Sequence, residues 1–276
     1  MKKFGVIVIA LLVTISAAIY QRLTGPTHPK AFTYTVENET FKSKVPRSGD
    51  TDKDTRVVLN LPISAVATLY YKKFRVEEEF TPITFSPIDE KKQEAFLPKM
   101  PSAAKLEYYI EILDGGETKY FFKETPIIIR YKDPVPIFVL IPHILIMFLA
   151  MLFSNLAGIQ ALIREPRFKR NTLVTLILMF LGGLILGPIV QKFAFGEFWT
   201  GFPFGFDLTD NKTLIAFLTW LVAYLINRKQ DRPSIVIFAA VVTLVVFSIP
   251  HSLFGSELNY ETGKIMTGFI QTMNIF

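Results

Sequence analysis

The feature that most constrains this chain is a set of five segments, each of roughly 15–28 residues and nearly uncharged, separated by charged stretches. They fall at about residues 4–20, 137–163, 173–190, 213–227 and 234–250. A soluble domain of 276 residues has no interior large enough for that much uninterrupted apolar sequence. Half the residues are hydrophobic and the mean hydropathy is +0.36, so the chain reads as an integral membrane protein. The absence of cysteine excludes thiol catalysis, Cys-ligated zinc, iron–sulfur centres and disulfides together.

The first segment, preceded by Lys2 and Lys3, reads as an anchor helix or a signal peptide over residues 1–20, with Ser16, Ala17 and Ala18 offering small residues for a cut. Residues 21–133 change character. Short alternating runs at 32–36, 56–61, 65–74, 80–85, 94–97, 106–113, 119–123 and 127–131 are broken by Pro, Gly or Asp clusters, which predicts a two-layer β-sandwich. The remainder, 134–276, predicts a helical transmembrane domain of four spans. Ile265, Met266, Phe269, Ile270, Met273 and Phe276 fall on one helical stripe and suggest an outer C-terminal amphipathic helix.

Within the β region, Ala67-Thr68-Leu69-Tyr70-Tyr71-Lys72, then Ala95-Phe96-Leu97-Pro98, then Leu106-Glu107-Tyr108-Tyr109-Ile110-Glu111, followed by Asp114-Gly115-Gly116, resembles strands C, E and F of immunoglobulin-like or fibronectin type III-like domains. The resemblance implies a β-sandwich over residues about 30–132, with Tyr108 or Tyr109 in the tyrosine-corner place. It implies nothing about activity. The expected fold class is therefore a membrane protein of α plus β type: an external Ig/FN3-like sandwich followed by a four-helix transmembrane bundle.

Charge placement orients the chain. Lys2 and Lys3, then Arg164, Arg167, Lys169 and Arg170, then Arg228, Lys229 and Arg232 fall on one side of a five-span arrangement. The positive-inside rule puts loops 164–171 and 228–233 in the cytoplasm of a bacterium, with the chain in the inner membrane and the β-domain and C-terminus extracytoplasmic. The net charge of +6 is then a topology signal facing anionic lipid, and nucleic acid is excluded as a partner.

Three features bear on chemistry. Residues 193–206 place seven aromatics among Gly and Pro, with Phe198, Trp199, Phe202, Phe204 and Phe206 at their centre. Such a run is expected to enter the membrane interface or pack over the helices, either as an aromatic belt or as a lid whose mouth is lined by Asp207, Asp210, Asn211 and Lys212. Thr209 or Asp210 is the expected N-cap of the helix that follows. His143 and His251 map to the same outer side; facing imidazoles would suit haem b, and with Asp207, Asp210 or Glu257 a divalent metal. The alternative is that both histidines simply hydrogen-bond at helix ends.

Small residues Ala150, Ser154 and Gly158, and Gly183 and Gly187, suggest that the second and third spans approach closely, and Pro188 predicts a kink. No nucleophile elbow, phosphate loop or dinucleotide fingerprint is present, and Ser252 beside His251 makes no triad by adjacency. The chain thus reads as non-enzymatic, a binding, scaffold or assembly component with the lipid bilayer and a membrane or periplasmic protein as partners. Haem- or metal-handling is the alternative from a second class. A small-solute permease is a third, against which stands the lack of carboxylates within the later spans.

Overall fold

Where the apolar runs give way to alternation, the chain changes from helix to strand. A computed structural model describes residues 3–251 and 255–267, which divide into a helical unit (residues 3–26, 135–251, 255–256 and 267) and a β unit (residues 27–134 and 257–266).

In the β unit, β1 (Lys30–Val36) and β2 (Glu39–Val45) form a hairpin about Glu37 and Asn38, both at positive φ (50° and 66°), as a two-residue turn between twisted strands requires. There follow β3 (Ser48–Asp50), β4 (Thr55–Leu59), β5 (Val66–Lys73), β6 (Thr81–Thr84), β7 (Ser86–Asp89), β8 (Lys92–Leu97), β9 (Lys105–Asp114), β10 (Glu117–Phe121) and β11 (Ile127–Lys132). The largest sheet has the order β3-β11-β9-β5-β6, and a second has β4-β8-β7. Strand β9 is the hub. One edge pairs with β5 from Leu106 to Leu113, and the other is shared by β11 near its start and β10 near its end. Among strands β1 to β11 the described pairings are antiparallel except β3 with β11.

Period-2 alternation sends Val57, Leu59, Leu69, Leu97, Ile110 and Ile129 into one core, each fully buried. Each contributes about 1.5–3 kcal/mol relative to exposure. The arrangement is consistent with a β-sandwich. Tyr108 is buried with its hydroxyl donating to the Pro46 carbonyl at 2.6 Å, while Tyr109 stacks on Tyr70 with centroids 4.9 Å apart. A hydroxyl bond to a carbonyl 62 residues away differs from the local bond of a tyrosine corner.

A second hairpin, β12 (Ser256–Leu258) with β13 (Ile265–Thr267), adds to this unit from the far end of the chain. The amphipathic helix expected over the tail is thus a strand at 265–267, and the rest of that stripe lies outside the described residues. The Leu258 N–H donates to the Ala103 carbonyl at 3.0 Å, and the Tyr260 hydroxyl bonds the Lys105 backbone. A pairing that uses main chain overrides side-chain periodicity.

The helical unit contains α1 (Lys3–Thr24), α2 (Ile137–Leu162), α3 (Phe168–Met179), a π-helical stretch (Phe180–Leu186) running straight into α4 (Gly187–Phe195), α5 (Leu208–Lys229) and α6 (Pro233–Ser248). Three of these are long and apolar enough to cross a membrane: Phe4–Thr24, Ile137–Leu162 and the continuous Phe168–Phe195. Helix α5 is as long, but polar at its ends, and α6 is apolar with only 16 residues.

Polar side chains tie the helices together. The Asn155 amide donates to Thr14 Oγ1 at 3.0 Å, joining α2 to α1; Asn171 donates to Gln160 Oε1 at 2.7 Å, joining α3 to α2. Trp220, fully buried, donates to Thr243 Oγ1 at 2.7 Å and joins α5 to α6. Val6, Ala10, Thr14 and Ala17 form the buried face of α1. Within the small-residue stripe of α2, Gly158 faces α6, where a Cβ would fall 2.6 Å from Ala240 Cβ. Gly182 is the residue that admits α2, against Met147 and Ile146, and Gly183 admits Thr213 of α5.

The turns just before Pro188, where the sequence predicts a kink, are π-helical. Proline lacks an N–H, and its ring crowds the carbonyl four residues back. The wider turns move the carbonyls aside, and the Gly187 N–H bonds the Gly182 carbonyl five residues away.

Candidate site at one end of the helical unit

The two basic loops meet at one end of this unit, where Lys169 pairs with Asp231. The opposite end holds the aromatic loop with Asp207, Asp210, Asn211 and Lys212 at the start of α5, and His143 near the start of α2. Helix α5 begins where Asp207 caps it: Oδ1 accepts from the Thr209 N–H at 2.8 Å and the Asp210 N–H at 3.3 Å. Asp207, rather than Thr209 or Asp210, is therefore the cap, and the helix starts well before its apolar stretch.

That placement frees the first turn to hold the aromatic loop. The Asp210 carboxylate accepts from the Thr200 N–H at 2.7 Å and from Thr200 Oγ1 at 3.3 Å, and Gln191 donates to Thr200 Oγ1 at 2.7 Å. Asn211 Oδ1 accepts from the Phe202 N–H at 2.7 Å, and the Asp207 N–H donates to the Thr200 carbonyl at 3.0 Å. Gly201 lies in the clasp, where a Cβ would come within 2.6 Å of Asp210 Cβ. The carboxylates expected to line a mouth are thus spent on shaping a loop. Gln191 and Thr200 were not legible as its partners, because nothing in their spacing marks them.

Lys212 is 1% exposed and donates to the Ile249 carbonyl at 2.7 Å, with Asp207 in electrostatic reach. A cation is disfavoured at the start of α5, yet here it reaches the end of α6, where unpaired carbonyls concentrate negative charge. His143 Nδ1 lies 3.0 Å from the Gly182 carbonyl on the π-helical stretch. A carbonyl only accepts, so Nδ1 carries the proton and Nε2 is the acceptor of the neutral ring. His251 lies within electrostatic reach of both Lys212 and His143.

His28 belongs to the β unit, as does Glu257, which is 4% exposed and paired with Lys105 and, at 3.2 Å, with Arg75. Glu257 is therefore committed to two cations of its own unit. Among the described residues no group of three or more His, Asp and Glu is arranged to hold a metal ion. Ser252 lies outside the described residues.

Trp199 donates its indole N–H to the Phe202 carbonyl at 3.1 Å, and Lys192 bonds the Gly196 carbonyl while lying 5.4 Å from the Phe198 ring centroid. The phenylalanines of the loop do not fold back over the helices: Phe198, Phe202, Phe204 and Phe206 are all exposed. No protein-family model matches this sequence, and no curated protein matches it.

Proposed function

We propose that the chain is a non-enzymatic binding, scaffold or assembly component of a bacterial inner membrane. In this reading an Ig/FN3-like sandwich faces the extracytoplasmic side, α1 is a retained anchor, and α2 to α6 supply four spans. The observation that carries it is where the polar groups go. Asn155, Gln160, Asn171, Trp220 and Thr243 are consumed in helix-to-helix bonds, and Asp207, Asp210 and Asn211 in building a loop. Groups so engaged hold surfaces in place rather than turn over a substrate. In-cell cross-linking followed by purification is the test, with a discrete membrane or periplasmic protein expected in the adduct. A lone monomer with no adduct removes the reading.

A second reading, haem or divalent-metal handling, is favoured by one observation. The proton on His143 Nδ1, held by a backbone carbonyl, is the arrangement by which proteins present Nε2 to a metal. His251 would be the second ligand, and the carboxylates engaged elsewhere fit this role less well. An absorption spectrum with elemental analysis decides: a Soret band or stoichiometric metal lost in His143→Ala supports it, and a colourless, metal-free preparation from haem-supplied cells ends it.

A further inference from the structure

We propose that residues 196–206 form a preorganised interfacial anchor that inserts Phe198, Phe202, Phe204 and Phe206 into the headgroup–acyl boundary of the bilayer at the end of α4. The exposures are 56%, 65%, 83% and 60%, so each of these rings is left uncovered by the protein. Four such rings in one loop form an apolar patch of the kind that marks a partner or a membrane.

The lipid surface is the occupant for two reasons. The first is position. Counting about 20 residues at 1.5 Å each from the basic boundary at Lys169 and Arg170 spans the roughly 30 Å hydrocarbon core and ends near residue 190. The loop begins six residues later, at headgroup depth, and Lys192 marks the boundary beside the Phe198 ring. The second is the backbone. A loop in water leaves its peptide groups to solvent, whereas one that enters lipid must satisfy them internally. Here the N–H groups of Gly196, Thr200, Phe202, Phe204, Gly205 and Asp207 are all bonded within the protein, to Lys192, Asp210, Asn211, Gly201 (twice) and Thr200 respectively. The Trp199 indole is satisfied by the loop itself. Internal bonds thus hold five of the ten N–H groups of residues 196–206, concentrated from Thr200 to Gly205 around the exposed Phe202 and Phe204, which fits an element at the headgroup boundary, where the remaining groups meet water and lipid headgroups.

This goes beyond the binding role and rests on the membrane reading alone. The test uses full-length protein in phosphatidylcholine vesicles, in a Trp199→Phe background that leaves buried Trp220 as the only native indole. Phe204→Trp and, separately, Phe198→Trp report from the loop, with bromine on the lipid chains either near the headgroup or near the chain end. Quenching of both reporters by shallow bromine, at least roughly twofold stronger than by deep bromine, is expected for insertion of about 5–10 Å. Trp220 emission checks that each variant is folded. Protein that floats with the vesicles while its reporters are quenched by aqueous iodide overturns the anchor but leaves the membrane reading intact. Reporters shielded from both bromine and iodide mean that a protein covers the loop, which also overturns it. Failure to float removes the membrane reading itself.

Discussion

Replacing Glu257 by Gln isolates one electrostatic latch. Its carboxylate, 6% exposed in the side chain, holds the Lys105 ammonium (19%) and the Arg75 guanidinium (34%), and with them the β12–β13 hairpin. Burial pushes the Lys105 ammonium below its ordinary value, and the carboxylate beside it works in the opposite sense. Gln keeps one acceptor oxygen but leaves two cations without a counter-charge. The loss expected for hydrogen bonds to charged groups is about 1.5–3 kcal/mol, toward the lower end because Arg75 is partly solvated. Local opening of the hairpin should then be roughly 10- to 150-fold more frequent, at about 1.4 kcal/mol per decade. Hydrogen–deuterium exchange of the full-length protein reads this directly at Leu258, whose N–H is held by the Ala103 carbonyl, and at Asn259, held by Lys264. Exposed Glu261→Gln is the control. Adding Lys105→Met to Glu257→Gln should recover part of the protection, since the stranded ammonium is then gone. Unchanged exchange in Glu257→Gln would refute the latch and return its carboxylate to the pool of candidate ligands.

Thr14→Val strands the buried Asn155 amide and should lower the stability of the helical unit by about 1 kcal/mol, read by denaturation in mixed micelles. An equal effect from Gly5→Ala, where a Cβ meets nothing within 4 Å, would show that the cost is not that bond. Gly201→Ala forces a Cβ to 2.6 Å from Asp210 and 2.9 Å from Asn211 Oδ1, so the clasp should loosen at a cost of about 1–3 kcal/mol, with Trp199 emission moving to the red. Alkaline titration tests the β unit. Burial pushes Tyr131 and Tyr260 up to about 12, and Tyr108 well above its ordinary value. Raised acids contribute stability that is intact below pH 10 and lost as pH rises toward 12, about 2.7 kcal/mol for Tyr131 alone. Tyrosinate absorbance should therefore rise in two steps, the later one coinciding with loss of β-sheet circular dichroism; a single step near pH 10 for all ten tyrosines would contradict the burial.

The long helices were legible because hydropathy sums over many residues, and strands β5, β8 and β9 because each carries a run of apolar and aromatic residues bounded by turn signals. Strand β2 was missed although Phe41, Ser43 and Val45 alternate, because Lys42 and Lys44 between them and the polar Ser43 read as loop. Strands β3 and β7 are too short for a period to register. At the candidate site the residue types were visible, but not their employment. Asp207, Asp210, Asn211 and Lys212 look alike as a polar cluster. Which one caps, which clasps and which reaches Ile249 depends on a loop conformation that pair spacing does not encode. The tail failed for a similar reason, since its stripe at helical spacing lost to main-chain pairing with β12.

The π-helical stretch has a consequence for how this chain can vary in length. Such turns hold more residues per revolution than an α-helix, so Phe180–Leu186 behaves as a helix carrying an insertion. Removing one residue there would let the segment relax to ordinary pitch while Gln191 and Ala194 kept their facing, whereas the same deletion in α2 would swing every later side chain by about 100°. What the shortened helix would forfeit is the Gly182 carbonyl turned toward His143. The stretch is thus a place where the chain can lose a residue without losing its fold, and where doing so would reset the tautomer of one imidazole.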